Sequence, residues 1–384
     1  MKFNTVVVLL FTSVLFLSCS KASKNSPKVQ ATVPDILPNT IAFTDTIKVM
    51  AYNVLGYGNG CQAGTSTLNA YLKTIVQYAQ PDILSCEKMA SFNPLASLPA
   101  NLAEDITNNA LNAAFPAKYA YIIPTNAVAA NTVSVLFYNK LKFTFVKTET
   151  ILANITDFNL YKLYYNDPNL AITRDTTFLY VLVNHTQSGS SSIARDIQLT
   201  SIMQKLRSKF GYFPNLISMG DFNTHNSLER GYQAMISAAD TSTMMSDPPF
   251  FPDRLLKYPA EWENNTSLFS SYLTTTTRAL ATVPNACGTA GGAKSWYDHI
   301  LISPLLVNGT NYMRYLPNSY QTIGNDGNRT GVDVISTTPI QNASAPKAVI
   351  NAIYQFSDKY PIAIKLIVKA NRNAYSVNDP IEKN

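Results

Sequence analysis

Asp221 and Asn223 stand two residues apart, directly after an apolar run, Leu216-Ile217-Ser218-Met219. The run reads as a buried strand, and Gly220 lets the backbone turn at its end. In extended chain two side chains spaced this way point to the same side. A carboxylate and an amide side by side at the mouth of a sheet suit holding a water, a metal ion or a phosphate. Gly, Asp and Asn are also the residues of solvated turns, so Met219-Gly220-Asp221-Phe222-Asn223-Thr224-His225 alone reads equally as a strand-to-loop turn. How the other apolar runs end decides between the two.

They end in the same way. Ile47 to Asn53 is a strand by its β-branched and aromatic content, and it closes on Asn53. Ile83 to Cys86 closes on Glu87. Phe178 to Val183 is preceded by Arg174 and closes on Asn184-His185. Trp296-Tyr297-Asp298 opens a strand to Ile302, and Ser357-Asp358-Lys359-Tyr360-Pro361 leads into a last strand, Ile362 to Val368. Chance would scatter such residues. Further strands are expected over 119–123, 133–138, 143–146 and 161–165. Helical spacing predicts helices over 68–79 and 193–210, the second with Ile197, Leu199, Ile202, Met203 and Leu206 as its apolar positions. Residues 95–115 are helix-compatible, 226–294 are loop-rich and suited to shaping a substrate site, and 304–350 look irregular. Strands outnumber helices and helices fall between strands, which argues an α/β (α+β) domain of packed layers flanked by helices.

The 384 residues are 46% hydrophobic, ample for a sizeable core. The net charge of +6, with no dense Lys/Arg block, argues against an extended nucleic-acid-binding surface. Lys2, the apolar stretch from Val6 to Leu17 and then Ser18-Cys19 read as an export signal whose apolar run is short for a membrane span. Leu15-Phe16-Leu17-Ser18-Cys19 resembles a bacterial lipoprotein cleavage box. The resemblance implies a signal peptide at 1–18, a lipidated Cys19 and a cell-envelope protein anchored at the outer membrane, periplasmic or surface-facing. Residues 19–45 then read as a flexible tether and 369–384 as a polar tail. Of the other cysteines, Cys86 sits in an apolar run and reads as a buried thiol. Cys61 and Cys287 lie in Gly-rich loops and are the expected pair.

Taken together and in order, residues 46–368 resemble the endonuclease/exonuclease/phosphatase (deoxyribonuclease I-like) superfamily. The motifs that carry this are Ala51-Tyr52-Asn53-Val54, Pro81-Asp82-Ile83-Leu84-Ser85-Cys86-Glu87, Val183-Asn184-His185, Gly220-Asp221-Phe222-Asn223, Tyr297-Asp298-His299-Ile300-Leu301 and Ser357-Asp358-Lys359-Tyr360-Pro361. The resemblance implies a four-layered α/β sandwich, two mainly antiparallel sheets flanked by helices, in a monomer. It implies a hydrolase of phosphodiesters or phosphomonoesters in which water attacks at a site assisted by Mg²⁺ or Mn²⁺, with Ca²⁺ as a further option. Nucleic acid, a phospholipid headgroup or a sugar phosphate would be the substrate, and the membrane a partner only through the lipid anchor. By the same resemblance Asn53, Glu87 and Asp358 form the metal site and Arg174 contacts substrate phosphate. His185, Asp221, Asn223, Asp298 and Lys359 then fall at catalytic positions.

The departures are specific. Lys359 stands where the family carries His, Cys86 where Gln usually precedes the Glu, and Met89 where deoxyribonucleases carry Arg. Asn131 and Thr132 occupy the place of the acidic partner of His185. An ammonium with an ordinary pKa of about 10.4 is a poor base at neutral pH. A metal ion and burial would lower that value and Asp298 would raise it, so the sequence leaves three roles open for Lys359. It is a phosphate clamp with Asp221 taking the proton, a base, or the mark of an impaired member that binds rather than hydrolyses. His299 alternates to the face opposite Asp298 and is expected in the core, as are Trp262 and Trp296, while His225 is expected at the rim.

Overall fold

Period-two alternation sets the architecture, which a computed structural model describes for residues 44–250, 262, 269–280 and 287–369. The proposed signal peptide, Cys19, nearly all of the tether and the polar tail from 370 lie outside the described residues. Twelve strands lie among those described: β1 (Asp45–Asn53), β2 (Ile83–Ala90), β3 (Tyr119–Ile122), β4 (Thr132–Asn139), β5 (Phe143–Asn154), β6 (Thr156–Tyr165), β7 (Phe178–His185), β8 (Leu216–Asp221), β9 (Asp298–Ile302), β10 (Met313–Tyr315), β11 (Gln321–Thr322) and β12 (Ile362–Val368). One sheet runs β10-β12-β1-β2-β4-β3 with β11 also on β12, and the other runs β5-β6-β7-β8-β9. Most pairs are antiparallel. The two parallel pairs, β1 with β2 and β7 with β8, are each joined through a helix, Thr65–Ala79 and Ile193–Lys209.

Alternate residues of each strand go to different cores. Ile47, Val49 and Ala51 of β1 meet Val181 and Val183 of β7, Ile217 and Met219 of β8 and Ile300 of β9 between the sheets. Met50 and Tyr52 turn the other way, onto Leu72, Ile75 and Val76 of the first helix and Ile350 and Ile353 of the helix Lys347–Phe356. Tyr180, Leu182 and Leu216 pack outward on Leu199, Ile202, Met203 and Leu206. The layers are therefore helix, sheet, sheet, helix, as expected. Each fully buried Leu, Ile or Val contributes about 1.5–3 kcal/mol relative to exposure, so the alternation fixes which face of every strand is inner.

Several sequence expectations are corrected. The hairpin of β5 and β6 is far longer than 143–146 and 161–165 implied. β2 runs past Glu87 to Ala90, with a bulge between Cys86 and Met89. The span 304–350 is not merely irregular: it holds helix Pro304–Asn308, β10, β11 and the start of Lys347–Phe356. The loop-rich 226–294 contains helix Arg230–Ile236. Ile197 is 55% exposed rather than core-facing. Its helix instead buries Arg195, whose guanidinium pairs with Glu229 at 2.8 Å, and Gln198, which donates to Asn154. Cys61 and Cys287 form a disulfide and Cys86 is a buried thiol, as expected.

Candidate active site

The alternation that fills the inter-sheet core continues into polar residues where the strands end. Asn53 continues the series Ile47, Val49, Ala51. His185 continues Val181, Val183, and Asp221 continues Ile217, Met219. Glu87 lies four residues beyond inward-facing Ile83, and Asp298 two before Ile300. All five therefore face the gap between the sheets at one mouth. The parallel register places Asn53 opposite Glu87 and His185 opposite Asp221, and the antiparallel register places Asp221 opposite Asp298. The carboxyl ends of parallel strands are where open α/β sheets commonly bind ligands.

The two sheets touch through the site. Asn53 Nδ2 donates to Asp221 Oδ2 at 2.9 Å. Lys359 Nζ lies 3.2 Å from the same oxygen and 3.8 Å from Asp298 Oδ2, with the Tyr297 ring 4.8 Å away. Gly220 lets β8 end here: at φ +129° a Cβ would lie 2.1 Å from the Asn184 carbonyl oxygen. Asn223 takes φ 49°, its N–H donating to Asp221 Oδ1 and its Nδ2 to the Thr186 carbonyl, both at 3.0 Å. Residues from both sheets line a cavity of about 640 Å³, among them Asn53, His185, Asp221, Asn223, Asp358 and Lys359.

The charges settle the direction left open for Lys359. Burial alone would depress its ammonium, but Asp221, Asp298 and Asp358 together outweigh burial and hold it above the usual lysine range. Without a bound cation it therefore carries its proton at neutral pH. Burial works against ionising Asp221, yet Lys359, His185 and the Asn53 amide keep its carboxyl below the usual range. Asp298 goes the other way: burial, opposed by Lys359 and reinforced by Asp221, pushes it up to about 8. His185 is pushed down to about 4 by burial against the pull of Asp221, so its imidazole is neutral near pH 7.

Whether the residues suit a divalent cation can be judged from their unpartnered atoms. Glu87 is fully buried. One carboxylate oxygen takes the Ser85 hydroxyl, and the other, Oε2, has no partner. Asp358 accepts at Oδ2 from the N–H and hydroxyl of Thr289, at 2.7 and 2.9 Å, and leaves Oδ1 without a partner. Glu87 is opposite Asn53 in the β1–β2 register, and Ser357, next to Asp358, donates its hydroxyl to the Asn53 carbonyl, so both carboxylates belong to segments that adjoin Asn53. Among the described residues no three His, Cys, Asp or Glu side chains group as a metal cage. Two hard carboxylate oxygens suit Mg²⁺ or Mn²⁺ that keeps most of its waters. Asn53 also acts as a brace: its Nδ2 donates to Asp221, and its Oδ1 accepts from the Leu55 N–H at 3.0 Å with a second lone pair left.

The structure separates Arg174 from this site. It is exposed at the end of the short helix Leu170–Thr173, ahead of β7, whereas His185 is the last residue of that strand. Eight residues of strand span about 25 Å, so Arg174 is not the phosphate contact. His299 is in the core as expected, its Nδ1 2.9 Å from Asp247 Oδ2 and its ring among Trp262 and Trp296. His225 stacks on Tyr297 at the rim. Sequence reasoning missed Lys88, Thr275, Thr289, Lys294 and Ser295, which also line the cavity. Lys88 was detectable as the cation directly after Glu87. The others come from loops whose place is set by the tertiary fold.

No protein-family model matches the chain, and no curated protein matches it at a significant level. Solved structures do. TDP2 from D. rerio, complexed with a single-stranded DNA product, aligns with a TM-score of 0.50 and 14% identity over 84% of this chain and 99% of its own. TDP2 from Caenorhabditis elegans aligns with a TM-score of 0.50 and 15% identity over 84% and 75%. An endonuclease/exonuclease/phosphatase family protein from Bacteroides thetaiotaomicron aligns with a TM-score of 0.47 and 14% identity over 84% and 98%. At such identities the likeness is one of architecture alone: the chain shares its layered α/β fold with the two TDP2 structures.

Proposed function

We propose that this cavity hydrolyses a phosphate ester, a phosphodiester or phosphomonoester carried by a nucleic acid, a phospholipid headgroup or a sugar phosphate. The observation that carries the reading is the convergence of Asn53, Lys359 and Asp298 on Asp221 at the mouth between the sheets. Asp221 is the ionised carboxylate that orients the attacking water and accepts its proton as the bond to phosphorus forms. The Lys359 ammonium is held by the Asp221 carboxylate, with Asp298 3.8 Å away, and sits where negative charge builds on the phosphoryl oxygens; such fixed donors are commonly the largest catalytic contribution. Neutral His185 donates a hydrogen bond to the oxygen that leaves as its bond to phosphorus breaks. Glu87 Oε2 and Asp358 Oδ1 would hold a divalent cation, which when bound polarises the phosphoryl group.

The test is hydrolysis of p-nitrophenyl phosphate, bis-p-nitrophenyl phosphate and plasmid DNA with Mg²⁺ or Mn²⁺, then with chelator. Turnover above that of Asp221→Ala and lost with chelator supports the reading. If wild type does no better than Asp221→Ala on all three, the reading falls. A non-catalytic binding protein on the same scaffold is the second reading. The firmly protonated Lys359, which takes no proton where the superfamily has His, is the observation that favours it.

The proposal includes location. A chain beginning with this signal-like stretch and Cys19 would be exported and lipid-anchored in a bacterial envelope. Labelling with radioactive palmitate, lost in Cys19→Ser, tests that part separately.

A further inference from the structure

We propose that Thr289 is a positioning residue for Asp358, and that the Cys61–Cys287 disulfide fastens it there. The inference rests on the divalent-cation part of the function proposed above. Asp358 has one carboxylate oxygen committed and one unpartnered, and the commitment is entirely to Thr289: its N–H at 2.7 Å and its hydroxyl at 2.9 Å both reach Oδ2. Two donors on one oxygen fix the rotation of the carboxylate and so the direction of Oδ1. Yet Thr289 is exposed and lies outside any helix or strand, so its own element does not hold it. What holds it is two residues away. Cys287 is tied to Cys61, across 226 residues of sequence, with Cα atoms 5.9 Å apart.

Two further features tighten the same strap. Arg278, fully buried, donates to the Cys287 carbonyl at 3.3 Å and to Gln62 Oε1 at 3.2 Å, and so grips both sides of the disulfide. Between Cys287 and Thr289, Gly288 takes φ +84° and lies so close that a Cβ would meet Asp358 Oδ2 at 2.6 Å. The backbone is drawn against the carboxylate at a position only glycine permits. Outer contacts of this kind orient metal ligands, and their loss costs roughly 10–100-fold in metal affinity.

The experiment measures Mn²⁺ affinity by calorimetry, melting temperature, and amide hydrogen exchange at Thr289. Wild type is compared with Thr289→Ser, Thr289→Val and the double variant Cys61→Ser/Cys287→Ser. Thr289→Ser should bind Mn²⁺ as wild type does. Thr289→Val should bind about 10-fold more weakly at an unchanged melting temperature. The double cysteine variant should lose at least as much affinity and exchange the Thr289 N–H faster. Unchanged affinity in both Thr289→Val and the cysteine variant, with only the latter's melting temperature lowered, would assign the disulfide to global stability and overturn the proposal. If wild type itself binds no Mn²⁺, the divalent-cation reading fails, and hydrogen exchange alone judges the strap. Faster exchange at Thr289 with β12 still protected upholds it, and unchanged exchange overturns it.

Discussion

The Lys359 ammonium rests 3.2 Å from Oδ2 of Asp221, the same oxygen that accepts the Asn53 amide. Both Lys359 and Asp221 are nearly inaccessible to water. Removing one partner of such a pair leaves a buried charge and costs about 3–5 kcal/mol. Lys359→Met is therefore expected to lower stability by that order at pH 7 and to abolish turnover. At pH 5 the loss should be smaller, because Asp221 without its cation takes up a proton. Urea unfolding at the two pH values measures both; equal losses would mean the pair is not coupled.

Asn53→Asp keeps shape but sets a second carboxylate against Asp221 in place of a donor. Turnover should fall about 100-fold, the scale of losing one preorganised donor. Initial rates at saturating substrate are the measurement, and a fall in affinity alone would count against the brace.

Burial pushes the Glu87 carboxyl well above the usual range, although the Ser85 hydroxyl pulls it back. Glu87→Gln replaces the ionisable carboxyl by a neutral amide without changing volume. The metal-free variant should melt no lower than wild type, while its Mn²⁺ affinity should fall by at least about 100-fold. Calorimetry with parallel melting curves separates the two effects.

Two groups give stability opposing pH slopes. Asp298, pushed up to about 8, keeps a proton that the unfolded chain releases near 3.9. Its contribution is complete below about pH 4 and lost as pH rises through about 8. His185, pushed down to about 4, stays neutral where the unfolded chain protonates near 6.5. Its contribution is present above about pH 6.5 and lost as pH falls through about 4. Wild type should lose stability between pH 6.5 and 8, and Asp298→Asn should not. Between pH 4 and 6.5 the two slopes offset each other in wild type, so His185→Gln should show the Asp298 decline alone. Melting temperature against pH for the three proteins decides it.

Arg174→Ala should leave kcat/KM within about twofold, as expected of an exposed side chain away from any special feature. A tenfold loss would place it on the substrate and contradict the geometry of β7.

Much of this was legible in the sequence because strands alternate. Asn53, Glu87, His185, Asp221 and Asp298 each follow or precede a short apolar run, and parity alone puts them on the inner face. Arg174 was misplaced because its role came from the resemblance alone; its place ahead of β7, at the strand end away from His185, was already legible. Helix Lys347–Phe356 carries Val349, Ile350, Ile353 and Phe356 at helical spacing, but it is short and rich in β-branched residues. Packing on helix Thr65–Ala79, rather than propensity, decides it. Thr289 left no signal, since its importance comes from a carboxylate 69 residues away and a disulfide partner far up the chain. The protonation of Lys359 was undecidable until the number of carboxylates around it was known.

The parity shared by core and site has a consequence for how this chain can vary. A one-residue insertion or deletion inside β1, β7 or β8 would turn its terminal Asn53, His185 or Asp221 toward the helix side while pushing apolar neighbours outward. Length change in these strands is thus intolerable for two reasons at once, whereas the loops beyond them carry neither constraint. Among natural variants of this chain, new substrate preferences should arise by loops growing or shrinking around strand ends of unchanged length.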